Sequence, residues 1–171
     1  MRIVLINPPI DSVLEHGNVS PVTQYLFYNS APLGILYIAA VLEQEGHTVS
    51  VIDAAAELLD VAATTKRVED FEPDVIGIGS FTVTFETTVK LGTYIKNALP
   101  TIPIILGSYH VTLMPDEAMS HRCFDVGVLV HIELGVEFYQ GSLVRLCKSY
   151  HHESLPQNLL HTSSKICYHL Y

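Results

Sequence analysis

Asp74-Val75-Ile76-Gly77-Ile78-Gly79, running into Ser80-Phe81-Thr82-Val83-Thr84, decides the fold, together with a second stretch of the same design. That second stretch is Ile102-Pro103-Ile104-Ile105-Leu106, running into Gly107-Ser108-Tyr109-His110-Val111-Thr112. Each begins as an apolar run without alternation, the pattern of a strand buried on both faces of a parallel sheet. Each stops at small and hydroxylated residues. In open parallel sheets ligands bind outside the carboxyl ends of the strands. Two adjacent strand ends carrying Gly, Ser, Thr and His therefore mark the first place to look for a site.

Between them, Phe85 to Leu99 reads as a helix ended by Pro100. Upstream, Arg2 to Ile6 is a central strand broken at Asn7-Pro8-Pro9, because proline lacks a ladder donor and restricts its predecessor. A long loop follows to about Asn29. Ser30 is expected to cap a helix, with Pro32 in its first turn. That helix, Leu33 to Glu45, is apolar on nearly every face and is expected to be mostly covered, with Gly46 as its C′ residue. His47 to Asp53 alternates, so it belongs nearer an edge. Glu57 to Phe71 reads as a more exposed helix. Downstream come a short helix from Pro115 to Met119 and a fifth strand from Phe124 to Val130. Val136 to Lys148 is read as a further helix, and from Ser149 the periodicity is lost. The alternation predicts an α/β fold, a Rossmann-like or flavodoxin-like three-layer sandwich. Its five-stranded parallel sheet has order 2-1-3-4-5, with the switch point between strands one and three. The domain is expected over 1–148, with an irregular tail over 149–171.

The chain of 171 residues fits one domain, and no apolar run approaches the roughly 20 residues of a membrane span. Asp and Glu number 18 against 9 Lys and Arg, which argues against a nucleic-acid footprint. No signal-peptide pattern opens the chain, so a cytoplasmic location is expected. The three cysteines, Cys123, Cys147 and Cys167, form no CxxC pair and read as reduced thiols.

What the strand ends lack narrows the chemistry. Asn-Pro-Pro after strand one excludes the G-x-G-x-x-G of a dinucleotide site and a flavodoxin-type phosphate loop. Gly77-Ile78-Gly79 lies within a strand, where close helix packing explains it better. Ser80 stands where a phospho-acceptor receiver needs Asp. There is no Walker A sequence, nucleophile–base pair or paired carboxylate at one rim, so no self-sufficient active site emerges. His110 reads either as a loop histidine bonded to backbone or as a cofactor contact, by hydrogen bond or as a metal ligand. Thr84 suits a helix cap better than Ser80 or Thr82 does.

Several segments, in order, resemble the N-terminal cobalamin-binding domain of radical SAM enzymes. They are Asn7-Pro8-Pro9, Ala31-Pro32-Leu33-Gly34 with the helix to Leu42, Gly46-His47-Thr48-Val49, Asp53, Pro73 to Ile78, and Gly107-Ser108-Tyr109-His110-Val111-Thr112. The resemblance covers about Met1 to Val130. It implies a corrinoid held over the carboxyl edge of the sheet. The contacts would come from Asn7, Pro8 and Pro9; Ser80, Thr82, Val83 and Thr84; and Gly107, Ser108, His110, Val111 and Thr112, with His110 a candidate cobalt contact. The implied partners are this corrinoid and a separate radical SAM domain; such proteins are methyltransferases or cyclases. The Cys-x-x-x-Cys-x-x-Cys cluster motif does not occur here, so no iron–sulfur or SAM site is expected in this chain, nor catalysis by the chain alone. The Asp-x-His-x-x-G motif is missing after strand one. Where a Gly-Glu-Gly-Glu-like loop is usual after strand five, the chain reads Val130-His131-Ile132-Glu133-Leu134-Gly135. The expectation is a cobalamin-binding module truncated before its catalytic domain, by a frameshift near Leu129. The alternative is a remnant or interaction domain that keeps the fold and has lost the cofactor.

Overall fold

The structure, a computed structural model, describes residues 1–10, 20, 22, 30–131 and 145–151. Strand β1 (Arg2–Asn7) is followed by helix α1 (Leu33–Gln44), β2 (Thr48–Asp53), α2 (Val61–Phe71) and β3 (Val75–Gly79). A 3-10 turn (Thr82–Thr84) leads into α3 (Phe85–Ala98), then come β4 (Ile104–Gly107), the short helices α4 (Tyr109–Leu113) and α5 (Pro115–Ser120), β5 (Val126–His131) and β6 (Arg145–His151). The sheet order is β2-β1-β3-β4-β5-β6. The first five strands are parallel, in the expected order 2-1-3-4-5, with helices on both faces.

Side chains alternate across a strand, so β1 feeds two cores. Ile3 and Leu5 pack with Ala39 and Leu42 of α1. Val4 and Ile6 join Ile76, Ile78, Ile104 and Leu106 on the opposite face, against Val68, Leu91, Ile95 and Phe124. The uninterrupted apolar runs are thus explained by burial on both sides. The alternating β2 lies at the sheet edge. Buried threonines on α2 and α3 are satisfied within their own helices: Thr64, Thr65 and Thr88 each donate to the carbonyl four residues earlier.

Three readings change. Helix α1 starts at Leu33 with Pro32 in the cap position and no side-chain cap, so Ser30 does not cap it. Nor is α1 mostly covered: Ala39 and Leu42 are its buried residues, while Leu33, Leu36 and Tyr37 are exposed. One stripe of a helix reaches a sheet, whatever lies on the other faces. Gly46 does close α1, at φ 82°. Of the helix expected from Val136 to Lys148, residues 136–144 lie outside the described residues, and from Arg145 the chain is instead strand β6, paired antiparallel with β5 as far as His151. The free edge of β5 offers a row of backbone donors and acceptors, and pairing there needs no helical period in the sequence.

At the amino edge of the sheet, Arg2 joins β1 to the α2–β3 junction. Its guanidinium lies 4.4 Å from the centroid of the Phe71 ring and donates to the Phe71 and Glu72 carbonyls, and its backbone N–H donates to Asp74 Oδ2 at 2.7 Å. Lys96 pairs with Asp125 at 2.7 Å, and Asp125 also accepts from the Ile104 N–H. These ties hold the edge opposite the rim and leave the carboxyl ends free for a site.

Candidate functional site

The rim is built from the ends of β1, β3 and β4. At β1, Asn7 Nδ2 donates to Asp53 Oδ1 at 2.8 Å, and the Ala54 N–H donates to the Asn7 carbonyl at 3.0 Å. Asn7 is therefore turned toward the end of β2. Pro8 and Pro9 are buried.

The ends of β3 and β4 form one joined unit. The Ser80 N–H donates to the Gly107 carbonyl at 3.0 Å, extending the β3–β4 ladder by one residue. The Ser80 carbonyl then accepts from the His110 N–H at 3.1 Å. Ser80 is fully buried and serves as this bridge. Thr84 stands at the cap position of α3, but its side chain makes no cap hydrogen bond to that helix; its Oγ1 instead reaches back across the 3-10 turn and accepts from the Phe81 N–H at 3.2 Å. Of the residues singled out in the β3 loop, Thr82 and Val83 are exposed.

The segment read as a loop from Gly107 to Thr112 is largely helix α4. Its entry residue, Ser108, has φ 83° and ψ −165°, a region that is essentially glycine's alone. The Thr112 Oγ1 donates back to the Ser108 carbonyl at 2.9 Å and holds the turn. Val111 is buried in the core; Gly107, Ser108 and Thr112 are half-buried.

Two residues passed over in the sequence reading dominate the surface of this unit. Phe81 and Tyr109 are 45% and 56% exposed, and their rings stack with centroids 5.7 Å apart and planes 24° apart. The signal available in sequence was an aromatic directly after Ser80 and another directly after Ser108. Val83, Leu113 and Met114 are exposed beside them in sequence. The surface is thus apolar and aromatic, with the hydroxyl of Thr82 among it.

His110 lies beneath this surface. It is 3% exposed, and its ring stacks on Phe85 at 3.7 Å between centroids. Nδ1 lies 3.4 Å from Thr82 Oγ1, and Nε2 lies 3.8 Å from Glu117 Oε2. Nε2 is buried and has no hydrogen-bond partner among the described residues. Burial pushes the His110 pKa below the ordinary histidine value, and the Glu117 carboxylate opposes this while His121 adds to it. The imidazole is therefore neutral at pH 7. Among the described residues no group of three or more His, Cys, Asp or Glu could hold a metal ion. The described helices include none long and apolar enough to cross a membrane.

The loop after strand five lies beyond His131, outside the described residues except for Val130 and His131.

Comparison with known proteins gives an independent view. The profile of the family described as B12 binding domain matches residues 20–137. The chain is 30% identical over 131 residues to a protein named Uncharacterized methyltransferase PH0819 from Pyrococcus horikoshii. That match covers 75% of this chain and 26% of the relative, so the chain spans about a quarter of the relative's length. A two-component response regulator of the LuxR family from Aurantimonas sp. SI85-9A1 superposes with a TM-score of 0.45 at 13% identity, over 71% of this chain and 68% of that chain.

Proposed function

Since the chain belongs to the B12 binding domain family, we propose that it binds cobalamin on the joined ends of β3 and β4 and presents it to a radical SAM catalytic domain. The observation that carries this reading is the exposed, stacked Phe81–Tyr109 pair. Soluble domains seldom leave adjacent aromatics uncovered at a strand-end rim without use for them. The rings offer a surface for the apolar corrin face, and the Thr82 hydroxyl and the backbone of Ser108 offer hydrogen bonds to its amides. A bound corrinoid would supply a cobalt centre able to carry a one-carbon group, chemistry that belongs to the cofactor rather than to the fold. This chain's part is to bind it, orient it and cover one face.

Similarity to a protein named as a methyltransferase supports methyl transfer as the reaction class of the catalytic partner. Among the described residues of the rim, no nucleophile–base pair stands ready for chemistry of its own.

Uptake of hydroxocobalamin tests the reading. Titrated at tens of micromolar, the protein is expected to shift the visible spectrum of the cofactor and retain it through gel filtration. The double variant Phe81→Ala/Tyr109→Ala is expected to lose retention while keeping its circular dichroism. No uptake by the wild-type chain would sink the proposal in favour of an interaction domain that keeps the fold without the cofactor.

A further inference from the structure

We propose that His110 is a positioning residue that sets the Phe81–Tyr109 pair from beneath, and that it does not ligate cobalt. The proposal deepens the cobalamin reading and rests on it for its effect on the ligand, though not for its geometry. Three contacts make the case. The His110 backbone N–H donates to the Ser80 carbonyl, which precedes Phe81. Nδ1 faces Thr82, the residue after Phe81. His110 itself directly follows Tyr109. One side chain and its backbone thus hold both exposed aromatics by their chain neighbours. The ring cannot serve the cobalt from where it lies, since it is 3% exposed, stacked on Phe85, and has both nitrogens turned to protein.

The unpartnered Nε2 gives this support a pH dependence. Glu117 on α5 and His121 just after it are the titratable groups that face the ring. A proton on His110 places a charge in a buried site where Glu117, 3.8 Å away, is the anion within reach. Closing that gap draws the ring toward α5 and away from Thr82. Acid is therefore expected to disturb the aromatic pair before it unfolds the domain.

The test compares wild type with His110→Phe, which keeps the stack on Phe85, and with His110→Ala, which does not. The first readout needs no cofactor. In NMR titrations of the apo protein, the Tyr109 and Phe81 ring signals are expected to move with the His110 imidazole midpoint below 6.5. That movement is expected to vanish in His110→Phe, and Glu117→Gln is expected to lower the midpoint further. Rings that ignore both the titration and His110→Ala would overturn the positioning role, whether or not cobalamin binds. The second readout uses hydroxocobalamin. His110→Ala is expected to weaken uptake about tenfold, equivalent to about 1.4 kcal/mol of lost preorganisation. His110→Phe is expected to restore most of it and to flatten its pH dependence. The paramagnetic resonance spectrum of the reduced, bound cofactor is expected to be the same in wild type and His110→Phe. A nitrogen splitting present in wild type and lost in the variant would make His110 a cobalt ligand and overturn the proposal. Absence of uptake in wild type, with the ring signals still coupled to His110, would remove the cobalamin reading and leave the positioning role standing.

Discussion

Single residues at this rim hold unfavourable states for the sake of its shape. Ser108 has a conformation suited to glycine, at a cost of about 1–3 kcal/mol. Ser108→Gly is expected to raise stability by about 1 kcal/mol, the relief of strain exceeding the entropy of a freer unfolded chain; urea denaturation measures it, and a loss of stability would contradict the strain. His110 is held neutral by burial, so its pKa in the folded protein lies below that in the unfolded chain. Between the two values the unfolded chain binds more protons, so stability is full above about 6.5 and falls as pH drops through the folded value. His110→Phe is expected to remove this component, leaving a shallower acid dependence than wild type in melts between pH 7.5 and pH 5. Equal slopes would show that His110 is not buried neutral. His110 was legible as a rim residue by its place after Gly107 and Ser108. Its inward orientation was not, because the partner that claims the ring, Phe85, opens the helix after a different strand.

Elements differ in how openly their sequence declares them. Helix α3 is bounded by Thr84 and Pro100 and appears close to where periodicity puts it. Its Gly92 makes a different point, since a Cβ there would lie 2.9 Å from Phe124 Cε1 and 3.1 Å from Cys123 Sγ. Phe124 is fully buried and has no room to swing. Gly92→Ala is therefore expected to destabilise by about 1–3 kcal/mol through overpacking, although alanine is the better helix former; thermal melts of the pair decide, and a stabilised variant would mean that the α3–Phe124 contact is loose. Asp60 caps α2 by accepting from the Ala63 N–H at 2.7 Å. Asp60→Ala is expected to cost about 1 kcal/mol. Helix α1 shows the limit of local reading: an all-round apolar sequence suggests a covered helix, yet its coverage depends on what the fold brings against each face. Helix α4 was hidden for the opposite reason, being too short to show a helical period.

At the scale of the molecule, the parallel order 2-1-3-4-5 brings the ends of β3 and β4 side by side and makes one rim of two distant loops. Cobalamin binding there would stabilise the whole domain, because the unfolded chain has no rim. Hydroxocobalamin at 100 times its Kd is expected to add about 2.7 kcal/mol to unfolding, read as a raised Tm that Phe81→Ala/Tyr109→Ala abolishes. An unchanged Tm in the presence of bound cofactor would place its site outside the cooperative fold. The sequence by itself determined the strand and helix alternation, the parallel sheet and the two polar strand ends. Those follow from hydrophobic period and from Gly and Pro punctuation, which are local properties of the chain. The same locality let ordered segments carry a family resemblance. Only the tertiary structure decided which rim residues face outward. Ser80, Thr84, His110 and Val111 go inside, and Phe81 and Tyr109 stay out, because hydrogen bonds between β3's end and α4 fix each loop against the other. Those partners stand some thirty residues apart, and no window along the chain contains both.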